Sequence, residues 1–351
     1  MALFNLLREP DSYNPDTWDV GLCPEAKQYW VDQSLDCFDH AVDYMLSVAC
    51  QANKEKLTEI IASAKVVFRQ EVDAIANQSA DTPIAISDFD TLRFETLSDF
   101  NIVDPYLKLK AKENISASRH YHRLITAHDK LPNKQLIKVL TQGIFAGNIF
   151  DMGQKEIIDK MARDGGLDFY KTMDELPPRP WCVDHFDQWS QYYLSGEIKR
   201  VMMFVDNAGA DFILGCLPMA RQLAKGGATV YIVANDHPAI NDMTVNECQT
   251  VLEALTRDDE MLSFLLQTNR IQVIGDGGHL PQVKLDDISE TCNAVTTGVN
   301  LLIFVGMGRA LETNYHALFK CPTLKLAMLK SGWHAEQFDG KKYGVVCRFD
   351  Q

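Results

Sequence analysis

Apolar residues recur three and four positions apart from about residue 24 to residue 195, the spacing that lines one face of a helix. The stretches EAKQYWVDQSLDCFDHAVDYMLSVACQ, KEKLTEIIASAKVVFRQEVDAIANQ and NKQLIKVLTQGIFAGNIFDMG carry it most clearly and predict a nearly all-helical half. The proline-rich DELPPRPWCVDHF reads as the joint that ends it, because proline does not continue a helix. Beyond residue 196 short apolar runs alternate with helical segments: KRVMMFVDN, ATVYIVAND, RIQVIGDGG, NLLIFVGMGR, LKLAMLKSG and YGVVCRFD. Such alternation, in runs rich in Val and Ile, predicts a mostly parallel, doubly wound sheet. The expected organisation is α/β, with a helical region over 1–195 and a sheet domain over 196–351.

One run shows how chemistry enters. Val201, Met202, Met203, Phe204 and Val205 form a continuous apolar stretch, as expected of a central strand buried on both faces. Asp206 and Asn207 follow at once, then Gly209, a helix cap expected at Asp211, and a helix that stops at Gly226-Gly227. The other runs also end in polar residues: Asn235-Asp236, Gly275-Asp276, Gly306-Met307-Gly308-Arg309 and Lys330-Ser331-Gly332. In a parallel sheet these carboxyl ends lie side by side along one crevice, where open α/β sheets bind ligands.

The residue types there suit a divalent cation and a phosphate. A hard cation takes carboxylate and amide oxygens and keeps positions open for water and substrate. Asp206, Asn207 and a second Asp make such a partial shell, the second being Asp236 or Asp242, both in VANDHPAINDMT. Phosphate calls for a planar Arg fork, a Lys charge and a concave set of backbone amides, which Gly306 to Arg309 and Lys330 offer. In the helical half, GIFAGNIFDMG places Asn148 and Asp151 three apart, hence on one helix face, within an apolar segment where polar groups need partners. The histidines show no HExxH or catalytic-triad context, which argues against a zinc or triad hydrolase.

Composition narrows the classes further. A chain of 351 residues that is 46% hydrophobic can bury a large core. Its net charge of −14, without Lys and Arg clusters, argues against nucleic acid and for a small substrate or a protein partner. Nine scattered cysteines with no CxxC pair indicate buried thiols in a reducing compartment rather than disulfides or zinc. Acids and prolines stand too early in MALFNLLREPDSYNPDTW for a signal peptide, and no apolar run approaches membrane-spanning length. A cytosolic protein without a membrane partner is expected.

Together GIFAGNIFDMG, PRPWCVDHF, FVDNAGADFILGCLPMARQL, IVANDHPAINDMT and GMGRALETNYHALFKCPTLKLAMLKS resemble the metal-dependent damage-control phosphatases. The likeness is to their second subfamily, which includes stand-alone plant proteins and a phosphatase domain fused to an inactive pantothenate kinase. It covers essentially the whole chain. The resemblance implies a helical N-terminal region packed on a Rossmann-like three-layer α/β/α domain, with a divalent cation (Mn, Co, Ni or Mg) at the sheet edge. It assigns the metal to Asp206, Asn207 and Asp242, matches the family's AGNxxD element to Asn148 and Asp151, and matches its strand-end lysine to Lys330. The subfamily's Glu-Gly-Met-Gly-Arg reads Val305-Gly306-Met307-Gly308-Arg309 here, so a carboxylate of the expected cavity wall is replaced by an apolar side chain.

The implied reaction is hydrolysis of a small phosphorylated metabolite, 4′-phosphopantetheine or its oxidised forms first and sugar phosphates second. Asp206 and Asp151 are the expected catalytic carboxylates, with Lys330 and the amides of Gly306 to Arg309 offsetting phosphoryl charge and Asn148 holding the phosphate. Two rivals remain open. A nucleotide-dependent enzyme would explain the Asn-Ala-Gly of DNAGAD, although no GxGxxG follows the first strand. A non-catalytic phosphopantetheine binder would explain Val305.

Overall fold

The computed structural model describes residues 2–79, 81–149 and 169–351. Five long helices come first: α1 (Pro24–Ser47), α2 (Gln51–Ala76), α3 (Ile86–Asp99), α4 (Leu107–His128) and α5 (Asn133–Ile149). Helix α1 starts on a proline at a position where the missing N–H is not needed. In α3 the Asp88 carboxylate turns back to accept from the Ala85 amide, 2.8 Å away. Helices α1, α2 and α3 bury a core of their own, in which Phe38 and Phe68 stack at 4.1 Å.

The sheet has seven strands in the order β1-β7-β6-β5-β2-β3-β4. They are β1 (Val183–Asp184), β2 (Arg200–Phe204), β3 (Thr229–Ala234), β4 (Ile271–Gly275), β5 (Leu301–Val305), β6 (Thr323–Met328) and β7 (Val345–Asp350). Pairing is parallel throughout except between β6 and β7. The mostly parallel sheet expected from the apolar runs is therefore present. Sequence reading did not find β1: two residues inside a proline-rich passage carry no periodicity.

Alternate side chains of the central strands enter two apolar layers. Val201, Met203 and Val205 face the layer that holds α5, while Met202 and Phe204 face the one that holds Phe4 and Leu7 near the chain start. Phe204 and Phe304 stack across β2 and β5 at 4.6 Å. After β2 the chain builds β3 and β4 on one side, then returns to place β5 on the other. The strand order reverses between β2 and β5, so the crevice opens at their carboxyl ends.

Helix α5 lies close to the segment after β2, and glycines make the approach possible. That segment continues as π-helical turns (Asp211–Cys216) into a helix (Leu217–Lys225). A Cβ at Gly147 would stand 2.7 Å from Asp211 Cα, and one at Gly215 would stand 3.1 Å from the Gly143 carbonyl oxygen. Both glycines thus let backbone meet backbone. Gly143 differs, since a Cβ there would meet nothing nearer than 3.5 Å.

These distances predict opposite outcomes for two similar substitutions. Gly147→Ala should destabilise the fold by about 1–3 kcal/mol through overpacking. Gly143→Ala should be neutral or stabilising by up to about 1 kcal/mol, because alanine is the better helix former. Urea denaturation followed by far-UV circular dichroism measures both, and equal losses would contradict the packing described.

Candidate active site

The residues leaving β2, β3, β5 and β6 converge at the switch point. Asp206 and Asn207 follow β2, Asn235 follows β3, Gly306 to Arg309 follow β5 and Lys330 follows β6. Asp242 arrives on the loop after β3. Its backbone bridges to Asn207, the Met243 amide donates to the Asp206 carbonyl at 2.9 Å, and the Ala208 amide donates to the Asn241 carbonyl at 2.8 Å. The two loops are thus stitched together, which brings both carboxylates to one place.

Between them lies Arg309, 1% exposed. Its Nη1 donates to Asp206 Oδ1 at 2.5 Å, and its Nη2 donates to Asp242 Oδ2 at 2.9 Å and to Asn235 Oδ1 at 2.7 Å. Here the guanidinium's single positive charge offsets part of the charge of the two carboxylates from within the protein. Buried carboxylates need that compensation. Asp236, the other acid left open by spacing, is exposed and accepts from the Gly277 amide at 2.7 Å, away from this cluster.

The second oxygen of Asp206 is held by amides. Asn148 Nδ2 and Asn207 Nδ2 each donate to Asp206 Oδ2 at 2.8 Å. The same two nitrogens donate to Asp211 Oδ2 at 2.7 and 2.9 Å. Asp211 is therefore a buried site residue, not the helix cap expected from sequence: the cap position falls on Ala210. Burial first, and the nearby charge of Asp206 second, push its carboxyl up to about 6, against the pull of Lys330 and the two amides. Its one sequence signal was position, an acid heading a wholly apolar helical run five residues after Asp206.

Asn148 is fully buried near the end of α5, delivered by the close approach at Gly147. Its Oδ1 has no hydrogen-bond partner among the described residues. Asp151 lies outside the described residues. Gly306 has φ +92°, and a Cβ there would overlap the Asp206 carboxylate, so glycine is required on both counts. Val305 is fully buried in the α5-side apolar layer.

A cavity of about 130 Å3 opens on this cluster, lined by Asp206, Asn207, Asp242, Met307, Gly308 and Lys330. Apart from Ser331, its outer wall comes from residues sequence reading did not single out. Gln282 Nε2 bridges Asp90 Oδ2 at 2.6 Å and Glu312 Oε2 at 2.7 Å, and Asp90 pairs with Arg93 at 2.5 Å. His334 Nε2 lies 3.2 Å from Glu312, and Ser331 Oγ meets its Nδ1 at 2.7 Å. Asp90 and Arg93 belong to α3, and Tyr29 and Trp30 of α1 complete the wall. Only the spacing of Asp90 and Arg93, one helix turn apart, hinted at this in the sequence. Among the described residues no three or more His, Cys, Asp or Glu side chains converge as a metal cluster. The oxygens that do converge, all on Arg309, come from the carboxylates of Asp206 and Asp242 and the amide of Asn235.

Comparison with known proteins decides the family. The profile described as "Damage-control phosphatase ARMT1-like domain" matches residues 33–346. The chain belongs to this family. It is 30% identical to mouse (Mus musculus) "4′-phosphopantetheine phosphatase" over 98% of the chain and 48% of that protein. It is 34% identical to "Damage-control phosphatase At2g17340" of Arabidopsis thaliana over 74% of the chain and 71% of that protein. It is also 30% identical to "Pantothenate kinase 2" of Oryza sativa subsp. japonica over all of the chain and 41% of that protein. The chain thus spans about half or less of the mouse and rice relatives. In fold it is similar to a DUF89 family protein from Pyrococcus horikoshii, with a TM-score of 0.63 and 16% identity over 93% of this chain and 98% of the other. Among the described residues no helix is long and apolar enough to cross a membrane.

The shared hydrogen bonds of Asp211 yield a test. Asp211→Ala removes one of the two acceptors of each buried amide and should cost about 1–3 kcal/mol for each N–H left unpaired. Asp211→Asn can keep an oxygen at that position and should cost less than about 1 kcal/mol. Chemical denaturation of the three proteins in EDTA measures the difference, and equal losses would show that Asp211 does not organise the amides.

Proposed function

We propose that this chain is a divalent-cation-dependent phosphomonoesterase acting on small phosphorylated metabolites, with 4′-phosphopantetheine or its oxidised forms as the leading substrate. The observation that carries the reading is the pair of buried carboxylates, Asp206 and Asp242, facing one buried positive group at the switch point of the sheet. The donor set fits a hard cation, since both carboxylates supply oxygens and the Asn207 side chain carries an amide oxygen, on loops that are stitched together. Asp206, Asn207 and Asp242 would hold it. Polarisation of a phosphoryl oxygen and acidification of water are the chemistry such a cation supplies.

The chain's own groups do the rest. Asn148 and Asn207 fix the Asp206 carboxylate, so its orientation costs nothing at the moment of reaction. Arg309 pairs with both Asp206 and Asp242, and although burial alone would lower its pKa, the two carboxylates drive it up. Lys330, 2% exposed and lining the cavity, offsets charge on the phosphoryl group. Gly306 to Arg309 would present the backbone to phosphate, and Asp151 remains the candidate for proton transfer to the leaving group. The burial of Val305 weakens the argument for a non-catalytic binder, because its side chain belongs to the core rather than to the cavity wall.

Phosphate release from 4′-phosphopantetheine, its S-oxidised forms, fructose 1-phosphate and p-nitrophenyl phosphate, with Mg²⁺, Mn²⁺, Co²⁺ or Ni²⁺, tests the reading. Turnover should require the metal and fall at least about a hundredfold in Asp206→Ala. A folded wild-type protein silent with every metal and substrate would overturn it.

A further inference from the structure

The loop that carries Asp242 contains a turn its sequence does not favour. The Asp242 amide donates to the Ala239 carbonyl at 2.9 Å, closing a turn in which Ile240 takes φ +45°. Six non-glycine residues have a positive φ among the described residues: Asn101, Asn269, Asn314, Asp339, Tyr343 and Ile240. Asn and Asp enter the left-handed region readily, and Tyr343 is exposed. Ile240 is the β-branched member of the set, and its branch crowds the backbone at such a φ. Glycine would make this turn without that cost.

Isoleucine brings what glycine lacks, a side chain that docks on the helical half. It packs on the apolar cluster formed by Ala41 of α1 with Tyr106 and Leu109 at the start of α4. The turn is anchored there, outside the sheet. Immediately after it the chain joins the loop of Asp206: the Asn241 carbonyl accepts from the Ala208 amide at 2.8 Å, and the Met243 amide donates to the Asp206 carbonyl at 2.9 Å. Asp242 stands between these two bonds, with Oδ2 2.9 Å from Arg309 Nη2. A disfavoured backbone conformation persists only where its surroundings impose it, and such positions gather at functional sites. Here the imposing contact is the dock of Ile240, close in the chain to the carboxylate it serves.

We infer that Ile240 is a positioning residue for Asp242. Its docked side chain holds the turn in the left-handed conformation, and the turn fixes where the Asp242 carboxylate stands against Asp206 and Arg309. What Asp242 would hold, a divalent cation, rests on the phosphatase reading above; where it stands does not. The helical half thus reaches the sheet edge through an apolar contact that includes no charged group.

Ile240→Gly removes the dock and leaves a residue suited to the turn. Ile240→Leu keeps an apolar side chain of equal size, which matters because Ile240 also lines the catalytic cavity. Three readouts separate the cases: hydrogen-deuterium exchange of the Ala208 and Met243 amides in EDTA, calorimetric Mn²⁺ affinity, and kcat and KM for p-nitrophenyl phosphate. In Ile240→Gly the two amides should exchange at least about tenfold faster, while those of β2 and β5 keep their wild-type protection. Mn²⁺ binding should weaken at least about tenfold, and kcat should fall with it. Ile240→Leu should recover all three readouts to within about threefold of wild type. Unchanged exchange at Ala208 and Met243, faster exchange throughout the sheet, unchanged Mn²⁺ affinity in the glycine variant, or a leucine variant as impaired as the glycine variant overturns the inference. If wild type binds no metal and hydrolyses no substrate, the phosphatase reading fails separately, and exchange alone decides. Should Ile240→Gly not fold, Ile240→Ala replaces it with the same expectations.

Discussion

Burying a carboxylate is costly unless opposite charge and hydrogen bonds compensate its lost water, and Asp206 meets that condition from three directions. Arg309 reaches one oxygen from the turn after β5, while Asn148 from α5 and Asn207 from its own loop reach the other. Gly306 leaves the space the carboxylate fills. These groups come from three parts of the chain: the turn after β5, helix α5 and the loop of Asp206 itself. The strand order, the close approach of α5 and the positive φ after β5 all bear on this one side chain.

Asp242 is held with similar care from outside the sheet. Lys110 of α4, 1% exposed, pairs with Asp104 at 2.8 Å and Glu247 at 2.9 Å and reaches the Asp242 carbonyl at 3.4 Å. Glu247 also closes the start of the following helix, accepting from the Thr244 amide at 2.9 Å. The helical half therefore does more than cover the sheet. Through α4 and α5 it sets the loops that carry the carboxylates, and through α1 and α3 it forms the wall of the crevice.

Legibility in the sequence followed the range of the interactions. The apolar runs reported strands β2 to β7 because burial on both faces writes a continuous hydrophobic signature. The polar residues at their ends reported the crevice, since parallel strands align their carboxyl ends. Asp211, Gln282 and Glu312 were not legible in this way. Asp211 has a partner 63 residues away, Gln282 one 192 away and Glu312 one 30 away, and no local pattern records such pairings. Asp211 also had a convincing local explanation as a helix cap, which concealed it. Arg309 was recognised as a site cation, yet only the structure shows that it lies between Asp206 and Asp242.

The seam between α5 and the segment after β2 is made where side chains are missing. Gly147 and Gly215 contribute no atom to chemistry and touch no substrate, yet the position of Asn148 depends on the backbone contact they permit. A screen that scores variants by activity alone would rank these two glycines beside the carboxylates. It would read as function what is geometry, because at such a seam every available substitution can only add volume.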